Sequence, residues 1–271
     1  MVGSSEAVLI AADQLCVGYA VPPFFHELPL VADEEEAADR LADLAAELAP
    51  GGTPDEQLAV ALSLVPTVDE LLVAGGVYAG FCLFEMEDGR QSTATLTVTL
   101  EYTESGPVAP LKRVVEIESG LREAFPEADV ERLHLPCGPA VAKIEGNTSP
   151  LPDELAGLGV DGQLERGVIQ VYLPLPNQTE VLCFELTTPS MQEWEQYSKI
   201  LAAVVQSVDW GYPGGKPATT DGAPEPEPAA GPEPEPAAAV PVGVPAAQPL
   251  PIPAQAPPRG SHAEAVRNDF G

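Results

Sequence analysis

The chain has 271 residues and a formal charge of -30, from 42 acidic and 12 basic side chains. A surface of this sign repels phosphate backbones and anionic lipid headgroups, so nucleic-acid binding and docking on a membrane surface lack their usual electrostatic attraction. A basic protein partner is compatible with the charge, although the charge can also serve only to keep the protein soluble.

The composition changes abruptly after residue 212. Residues 1–212 carry patterned apolar and aromatic side chains and are numerous enough for one sizeable core, so we predict an acidic globular domain there. Residues 213–271 hold 15 prolines and one aromatic side chain, Phe270, and the sequence PEPEPAA occurs twice. Such a segment cannot bury enough apolar surface to offset the entropy cost of ordering. We therefore predict a disordered, Pro/Ala/Glu-rich acidic tail.

The first predicted helix begins after Asp33. Asp33 is a good N-cap, and Glu34, Glu35 and Glu36 fill the first turn, where acids interact favourably with the helix dipole. An apolar stripe at helical spacing follows, formed by Leu41, Leu44, Ala45 and Leu48. The three glutamates are either a docking patch for a basic partner or an ordinary solvated helix start.

Three further helices are predicted. One runs from about residue 54 to about residue 74, with an interruption at Pro66. Another covers residues 108–125, and the last begins at Ser190, where Ser190 and Glu193 match a Ser-x-x-Glu capping box. The apolar face predicted for residues 108–125 consists of Leu111, Val114, Val115, Leu121 and Phe125. The apolar stripe of the last helix consists of Met191, Trp194, Tyr197, Leu201, Val204 and Val208.

Six strand-like segments pair into three predicted hairpins. These are 77–86 with 92–102, 130–135 with 140–145, and 168–173 with 180–187. Segment 92–102 alternates between apolar and polar side chains, which is typical of an antiparallel sheet with one face open to water. Its predicted inward face is Ala94, Leu96, Val98, Leu100 and Tyr102. The elements together predict an α+β fold, with a mainly antiparallel sheet of about six or seven strands and packed helices.

A long loop is predicted from Gly146 to Gly167, because this stretch is rich in Pro, Gly and acidic residues. A small-molecule pocket between the sheet and residues 150–167 is our alternative functional hypothesis, in the form of a binding protein or a hydrolase. A Gly-x-Gly-x-x-Gly pattern begins at Gly157, but it precedes a strand instead of following one, which is the wrong order for dinucleotide binding.

No catalytic, cofactor-binding or metal-binding residues are predicted. The four cysteines form no Cys-x-x-Cys pair, and Cys82 and Cys183 fall in apolar runs where a thiol is usually a small buried apolar group. His26 and His134 have no recognisable catalytic motif around them. Carboxylate pairs suited to a hydrolase occur, but so many acids produce pairs by chance.

The predicted localisation is cytoplasmic. Residues 7–25 are mildly apolar, but no Lys or Arg precedes them and Asp13 lies among them, so they do not match a secretory signal. No apolar run approaches the roughly 18 residues that a transmembrane helix requires. The thiols are therefore expected to be reduced.

The closing part of the predicted domain, mainly residues 168–210, resembles actinobacterial proteins of the PsbP-like α/β sandwich group, which includes mycobacterial LpqN-type proteins. The residues that carry the resemblance are VYLPLPN at 171–177, FELTTP at 184–189, Trp194, Tyr197 and Trp210. The resemblance implies a sandwich fold and an interaction module that is mostly non-catalytic and in some members exported. We expect no secretory signal or lipobox in this chain, in contrast to the exported members, and no family site residues carry over.

The leading functional hypothesis is a non-enzymatic cytoplasmic adaptor that binds another protein through its acidic domain or the end of its tail; a basic partner is one form of this hypothesis. The candidate partner-binding residues are Glu34, Glu35, Glu36, Arg267 and Phe270. One version of the hypothesis is a helper of type VII secretion. The patterns do not predict the oligomeric state.

Overall fold

The structure is a computed structural model that describes residues 5–10, 15–31, 33–103, 106–150 and 163–211. The predicted tail, 213–271, lies outside the described residues. In chain order the elements are β1 (Ser5–Ile10), β2 (Cys16–Val21), β3 (His26–Glu27), α1 (Glu34–Leu48), α2 (Pro54–Val73), β4 (Gly76–Glu85), β5 (Gln91–Tyr102), α3 (Pro110–Ala124), β6 (Asp129–Leu135), β7 (Gly138–Pro150), β8 (Gln163–Pro174), β9 (Glu180–Thr188), a 3-10 turn (Met191–Glu193), α4 (Trp194–Gln206) and β10 (Asp209–Gly211).

The strands form two antiparallel sheets. The larger sheet has seven strands in the order β3-β4-β5-β9-β8-β7-β6, and the smaller has three in the order β1-β2-β10. The predicted α+β class with a mainly antiparallel sheet is therefore confirmed. The smaller sheet was not predicted, because β10 has only three residues and too short a pattern to indicate a strand.

Helices and strands cover the two faces of the larger sheet. On one face, α4 and the smaller sheet enclose the main core, where the Tyr19 ring meets the Phe184 ring edge-on with centroids 5.3 Å apart. On the other face, α1 and α2 cover the β3–β4 side and α3 covers the opposite side. Burying one large apolar side chain contributes about 1.5–3 kcal/mol. Because the main core holds most of the buried apolar side chains, it contributes most of the stabilisation.

The predicted apolar stripe of α4 is confirmed, but its capping box is wrong. Trp194, Tyr197 and Leu201 are all buried in the main core. The Ser190 hydroxyl oxygen accepts a hydrogen bond from the Thr93 backbone nitrogen (3.0 Å) and does not cap the helix by its side chain. The tertiary contact with β5 replaces the local cap, and the α-helix begins only at Trp194 after the 3-10 turn.

The predicted apolar face of α3 is wrong at three positions. Leu111, Val115 and Phe125 are exposed, whereas Val114 faces the sheet. The helix is turned so that Arg113 is buried beside Val114, because its guanidinium group bonds to polar groups at the end of β5. It donates to Thr103 Oγ1 (3.0 Å) and to the Gly106 carbonyl oxygen (2.8 Å). These bonds offset the cost of burying the charge.

Two smaller expectations are also corrected. The interruption at Pro66 does not occur, since α2 is continuous from Pro54 to Val73. The missing N–H of Pro66 leaves the Leu62 carbonyl without its helical donor, on a side of α2 where water can reach. Tyr102 is exposed instead of facing the core, because it is the last residue of β5 and lies at the end of the sheet.

Much of the predicted long loop is a hairpin. β7 extends to Pro150 and β8 begins at Gln163, with register pairs that continue from Val141 and Tyr172 to Pro150 and Gln163. Residues 146–150 and 163–167 are therefore strand, and the tip, 151–162, lies outside the described residues. Residues 146–150 and 163–167 are mostly polar or glycine, so no alternation of apolar residues in the sequence predicted these parts of the strands.

Candidate docking surface and neighbouring polar sites

Local sequence explains why α1 and α2 form a helical hairpin. The Asp33 carboxylate accepts a hydrogen bond from the Glu36 backbone nitrogen (2.9 Å), which caps the start of α1. At the start of α2, the Glu56 nitrogen donates to Thr53 Oγ1 (3.3 Å), and the Thr53 nitrogen donates to the Glu56 carboxylate (2.7 Å). These bonds lower the pKa of Glu56 and form a capping box.

Only part of the apolar surface of α2 is buried. Ala61 and Val68 pack against α1 and β4 in a small separate core. Four other apolar side chains of α2 are exposed to solvent by 37–61%, and they recur at intervals that place them along one side of the helix. We call these residues the α2 face: Leu58, Leu62, Val65 and Leu72. Of the ten large apolar side chains exposed in the described part of the chain, five belong to α2, counting Val73.

Acidic side chains surround the α2 face. Residues 33–73 hold eleven acidic side chains, all on exposed residues, and one basic side chain, Arg40. Arg40 forms an ion pair with Glu36 (2.6 Å), so it does not offset the rest. Asp55 lies three residues before Leu58 and Asp69 four residues after Val65, spacings that bring each acid next to an apolar side chain of the α2 face. We call the α2 face and these eleven acids the α1–α2 surface.

The three predicted glutamates belong to this surface. Glu34, Glu35 and Glu36 are exposed in the first turn of α1. Because α1 and α2 form a hairpin, the start of α1 and the end of α2 lie at the same end of it. The other predicted residues, Arg267 and Phe270, lie outside the described residues. The α2 face itself was missed, although a signal exists in the sequence: the apolar residues of α2 cover a wider arc than one buried stripe needs.

A hydrogen-bonded chain of polar side chains links β8 and β9 on the face of the larger sheet that α1, α2 and α3 cover. The Tyr172 hydroxyl donates to Gln170 Oε1 (2.9 Å), and the Gln170 amide donates to Glu185 Oε2 (2.5 Å). The Thr187 hydroxyl donates to the second oxygen of Glu185 (3.2 Å). Because these side chains form hydrogen bonds with one another, the arrangement is typical of a structural network that holds β8 on β9.

A lysine that is almost fully buried continues this polar row on β7. Lys143 is 3% exposed, its Nζ lies 3.0 Å from Glu145 Oε1, and it sits 3.9 Å above the centre of the Phe125 ring. The Asn147 amide donates to the same carboxylate oxygen (3.3 Å). The Glu145 carboxylate and the Phe125 ring face are both favourable partners for a buried ammonium group, so these contacts offset part of the cost of burying Lys143.

Three of the thiols are unsuited to nucleophilic chemistry. Burial raises the pKa of Cys183 to about 12, with Glu101 and Glu185 acting in the same direction, and raises the pKa of Cys137 to about 11. Burial also raises the pKa of Cys82. These thiols are protonated at neutral pH, whereas the thiolate is the reactive form. The burial of Cys82 and Cys183 confirms their predicted place inside the fold.

A shallow depression of about 380 Å³ lies where β5, β8 and the 3-10 turn meet. Arg90 lies between Asp88 (2.7 Å) and Glu193 (3.0 Å), and Glu165 lies on the rim. The second oxygen of Glu193 is buried and has no hydrogen-bond partner among the described residues. Glu165, which lines this depression, belongs to the region 150–167 for which the alternative small-molecule hypothesis predicted a pocket; residues 151–162 lie outside the described part of the chain.

No family model, curated protein or solved structure matches this chain. The resemblance to the PsbP-like group therefore stays a prediction. Within the described ranges, no cluster of three or more His, Cys, Asp or Glu side chains could hold a metal ion. None of the helices in that same part of the chain is long and apolar enough to cross a membrane.

Proposed function

We propose that this protein is a docking module that binds a basic protein through the α1–α2 surface. The observation that carries the proposal is the exposed row of apolar side chains on α2 among eleven acidic side chains and a single, already paired arginine. Isolated exposed apolar side chains are ordinary, but several on one side of a single helix are typical of an interaction site. The acidic surroundings indicate the charge of the partner.

The two parts of the surface have different physical roles. Covering the exposed half of each side chain in the α2 face contributes on the order of 1 kcal/mol, from a full value of about 1.5–3 kcal/mol for a whole buried side chain. For the four side chains together this is about 3–6 kcal/mol. The cost of association is about 4–15 kcal/mol, so the apolar contacts alone give weak binding at most. Electrostatic attraction therefore has to contribute, and it also raises the association rate. Binding should weaken markedly as salt is added.

We further propose that the module acts as a cytoplasmic adaptor without an enzymatic role of its own. The raised pKa values of three thiols and the self-satisfied polar network on β8 and β9 support this proposal, since both assign reactive-looking groups to structural duties. A helper role in type VII secretion is the most specific form of the proposal and would make the basic partner a secreted protein or part of its export machinery.

Titration of the full chain with fluorescent oligolysine tests the docking proposal. We expect saturable binding that salt weakens, and much weaker binding by the variant Asp55→Asn/Asp69→Asn/Glu70→Gln. The matched control, Glu85→Gln/Glu87→Gln/Glu127→Gln, removes the same number of charges from exposed positions elsewhere. Equal losses in the two variants would mean that oligolysine responds only to net charge, and the proposal would then be wrong.

A second candidate function is the binding of a small organic amine in the depression at Arg90. The buried Glu193 oxygen without a donor favours it, because an ammonium group could supply the missing hydrogen bond. The two acids that line the depression, Glu165 and Glu193, outnumber its one arginine, so a cation is the favoured ligand. A raised melting temperature with small amines, abolished in Glu193→Gln, would support this function. No shift with any amine would count against it.

A further inference from the structure

We infer that the segment bound by the α1–α2 surface is a basic amphipathic α-helix that lies along α2. This inference rests on the proposed docking function and adds the shape of the partner. The α2 face is a narrow row: Leu58, Leu62 and Val65 follow one another at helical spacing, and Leu72 comes after Asp69, which occupies the position between. The fourteen steps from residue 58 to residue 72 correspond to about 21 Å at a rise of about 1.5 Å per residue. A row of this shape matches the apolar stripe of a second helix, whose contacts recur every three or four residues.

Other recognition modes fit this surface less well. An extended strand binds by adding to the exposed edge of a sheet, but α2 already uses its backbone groups within the helix. A polyproline segment docks between aromatic side chains, and the α2 face contains none. The mode that remains is helix against helix, with the apolar side chains as anchors and the acids at their sides.

The charge of the remaining segments of this chain argues against any of them as the segment that binds the α1–α2 surface. Residues 1–14 hold two acids and no Lys or Arg, and residues 151–162 hold three acids and no Lys or Arg. Residues 213–271 hold seven acids and three bases. A second copy would bring an identical surface with eleven acids and one arginine, so two such surfaces repel each other. The occupant is therefore a segment of another protein, rich in Lys or Arg beside its apolar stripe.

Three synthetic peptides separate the inference from the proposal on which it rests. The first contains Leu and Lys arranged with helical periodicity, and the second contains the same residues arranged to alternate, so that it favours a strand. The third has the helical pattern with Glu in place of Lys. Binding to the full chain is measured by fluorescence anisotropy, and helix formation of each peptide by the change in circular dichroism on mixing.

We expect the helical Leu/Lys peptide to bind and to gain helix, the alternating peptide to bind at least tenfold more weakly, and the Leu/Glu peptide not to bind. If both Lys peptides bind equally tightly, the helix inference is overturned while basic docking stands. If neither Lys peptide binds, the docking proposal itself fails, and the inference with it.

Two double variants locate the site. Leu58→Ser/Leu62→Ser should weaken binding of the helical peptide about tenfold or more. The matched control is Leu111→Ser/Val115→Ser on α3, which changes another exposed apolar pair at the same spacing and should leave affinity within about twofold. All four side chains are exposed, so both variants should fold, and a melting curve verifies this. Equal weakening in both variants, or no weakening in the first, would overturn the assignment to α2.

Discussion

The indole ring of Trp194 lies directly against the backbone of Gly167, so closely that a side-chain carbon on this glycine would lie 1.9 Å from Cζ3 of the ring. The contact places the first residue of α4 on β8. It explains why a small residue stands at the inward-facing position of a strand whose other inward residues are large. It also ties the extended β7–β8 hairpin to the main core.

Gly167→Ala should lower the free energy of unfolding by about 3 kcal/mol, the upper part of the range for overpacked cores, because the added carbon meets a rigid ring. The control is Gly146→Ala on the paired strand, where an added carbon has open space around it. Urea unfolding of both variants measures the difference. Similar small losses in the two would show that Trp194 does not pack on Gly167.

Arg113→Ala should lower the free energy of unfolding by about 2 kcal/mol, because the Gly106 carbonyl and the Thr103 hydroxyl lose a charged donor in a buried site. The neighbouring Lys112 is exposed and serves as the control, since Lys112→Ala should change stability by less than about 0.5 kcal/mol. Thermal unfolding compares the two. A neutral Arg113→Ala would contradict the orientation of α3.

The thiol of Cys183 should make stability depend on alkaline pH. Its pKa is about 12 in the folded protein against 9.0 for an unperturbed thiol, because burial disfavours the thiolate. Between pH 9 and 12 the unfolded chain loses this proton while the folded chain keeps it, so stability falls as pH rises. In Cys183→Ala this fall should be less steep by up to about 1.4 kcal/mol per pH unit. Parallel pH profiles for the two proteins would contradict this assignment.

The three glutamates that the sequence singled out should matter less for docking than the acids beside the α2 face. Glu34→Gln/Glu35→Gln/Glu36→Gln should weaken oligolysine binding only modestly, because these side chains belong to α1, whereas Asp55 and Asp69 lie three or four residues from apolar side chains of the α2 face. Asp55→Asn/Asp69→Asn should weaken it more, although fewer charges are removed. Anisotropy titrations at fixed salt compare the two. The reverse order would place the contact at the start of α1.

The parts of the fold that follow from local pattern could be predicted. The Asp33 cap, the Thr53 helix start and the alternation of β5 each need only neighbouring residues, and all three are present. The errors arise where a distant partner decides the local structure. Ser190 bonds to β5 instead of capping α4, and Arg113 turns α3 by bonding beyond the end of β5. No periodicity within either segment contains that information.

The candidate site was predicted only in its charge. The acids of α1 are visible in the sequence, but whether Leu58 and Leu62 are covered depends on where α1 and β4 lie against α2. α1 and β4 pack against the side of α2 that carries Ala61 and Val68, and the side that carries Leu58 and Leu62 is left exposed. The distribution of apolar residues around a helix indicates how many of its sides can be buried. It does not show which side remains exposed to solvent.

Amide chemical-shift mapping of the full chain during titration with the helical Leu/Lys peptide tests the docking account most directly. The largest changes should fall on residues 58–73 of α2 and on the adjoining acids of α1, and they should shrink as salt is added. Changes concentrated at Arg90 and Glu193, or spread evenly over exposed acids throughout the protein, would contradict it.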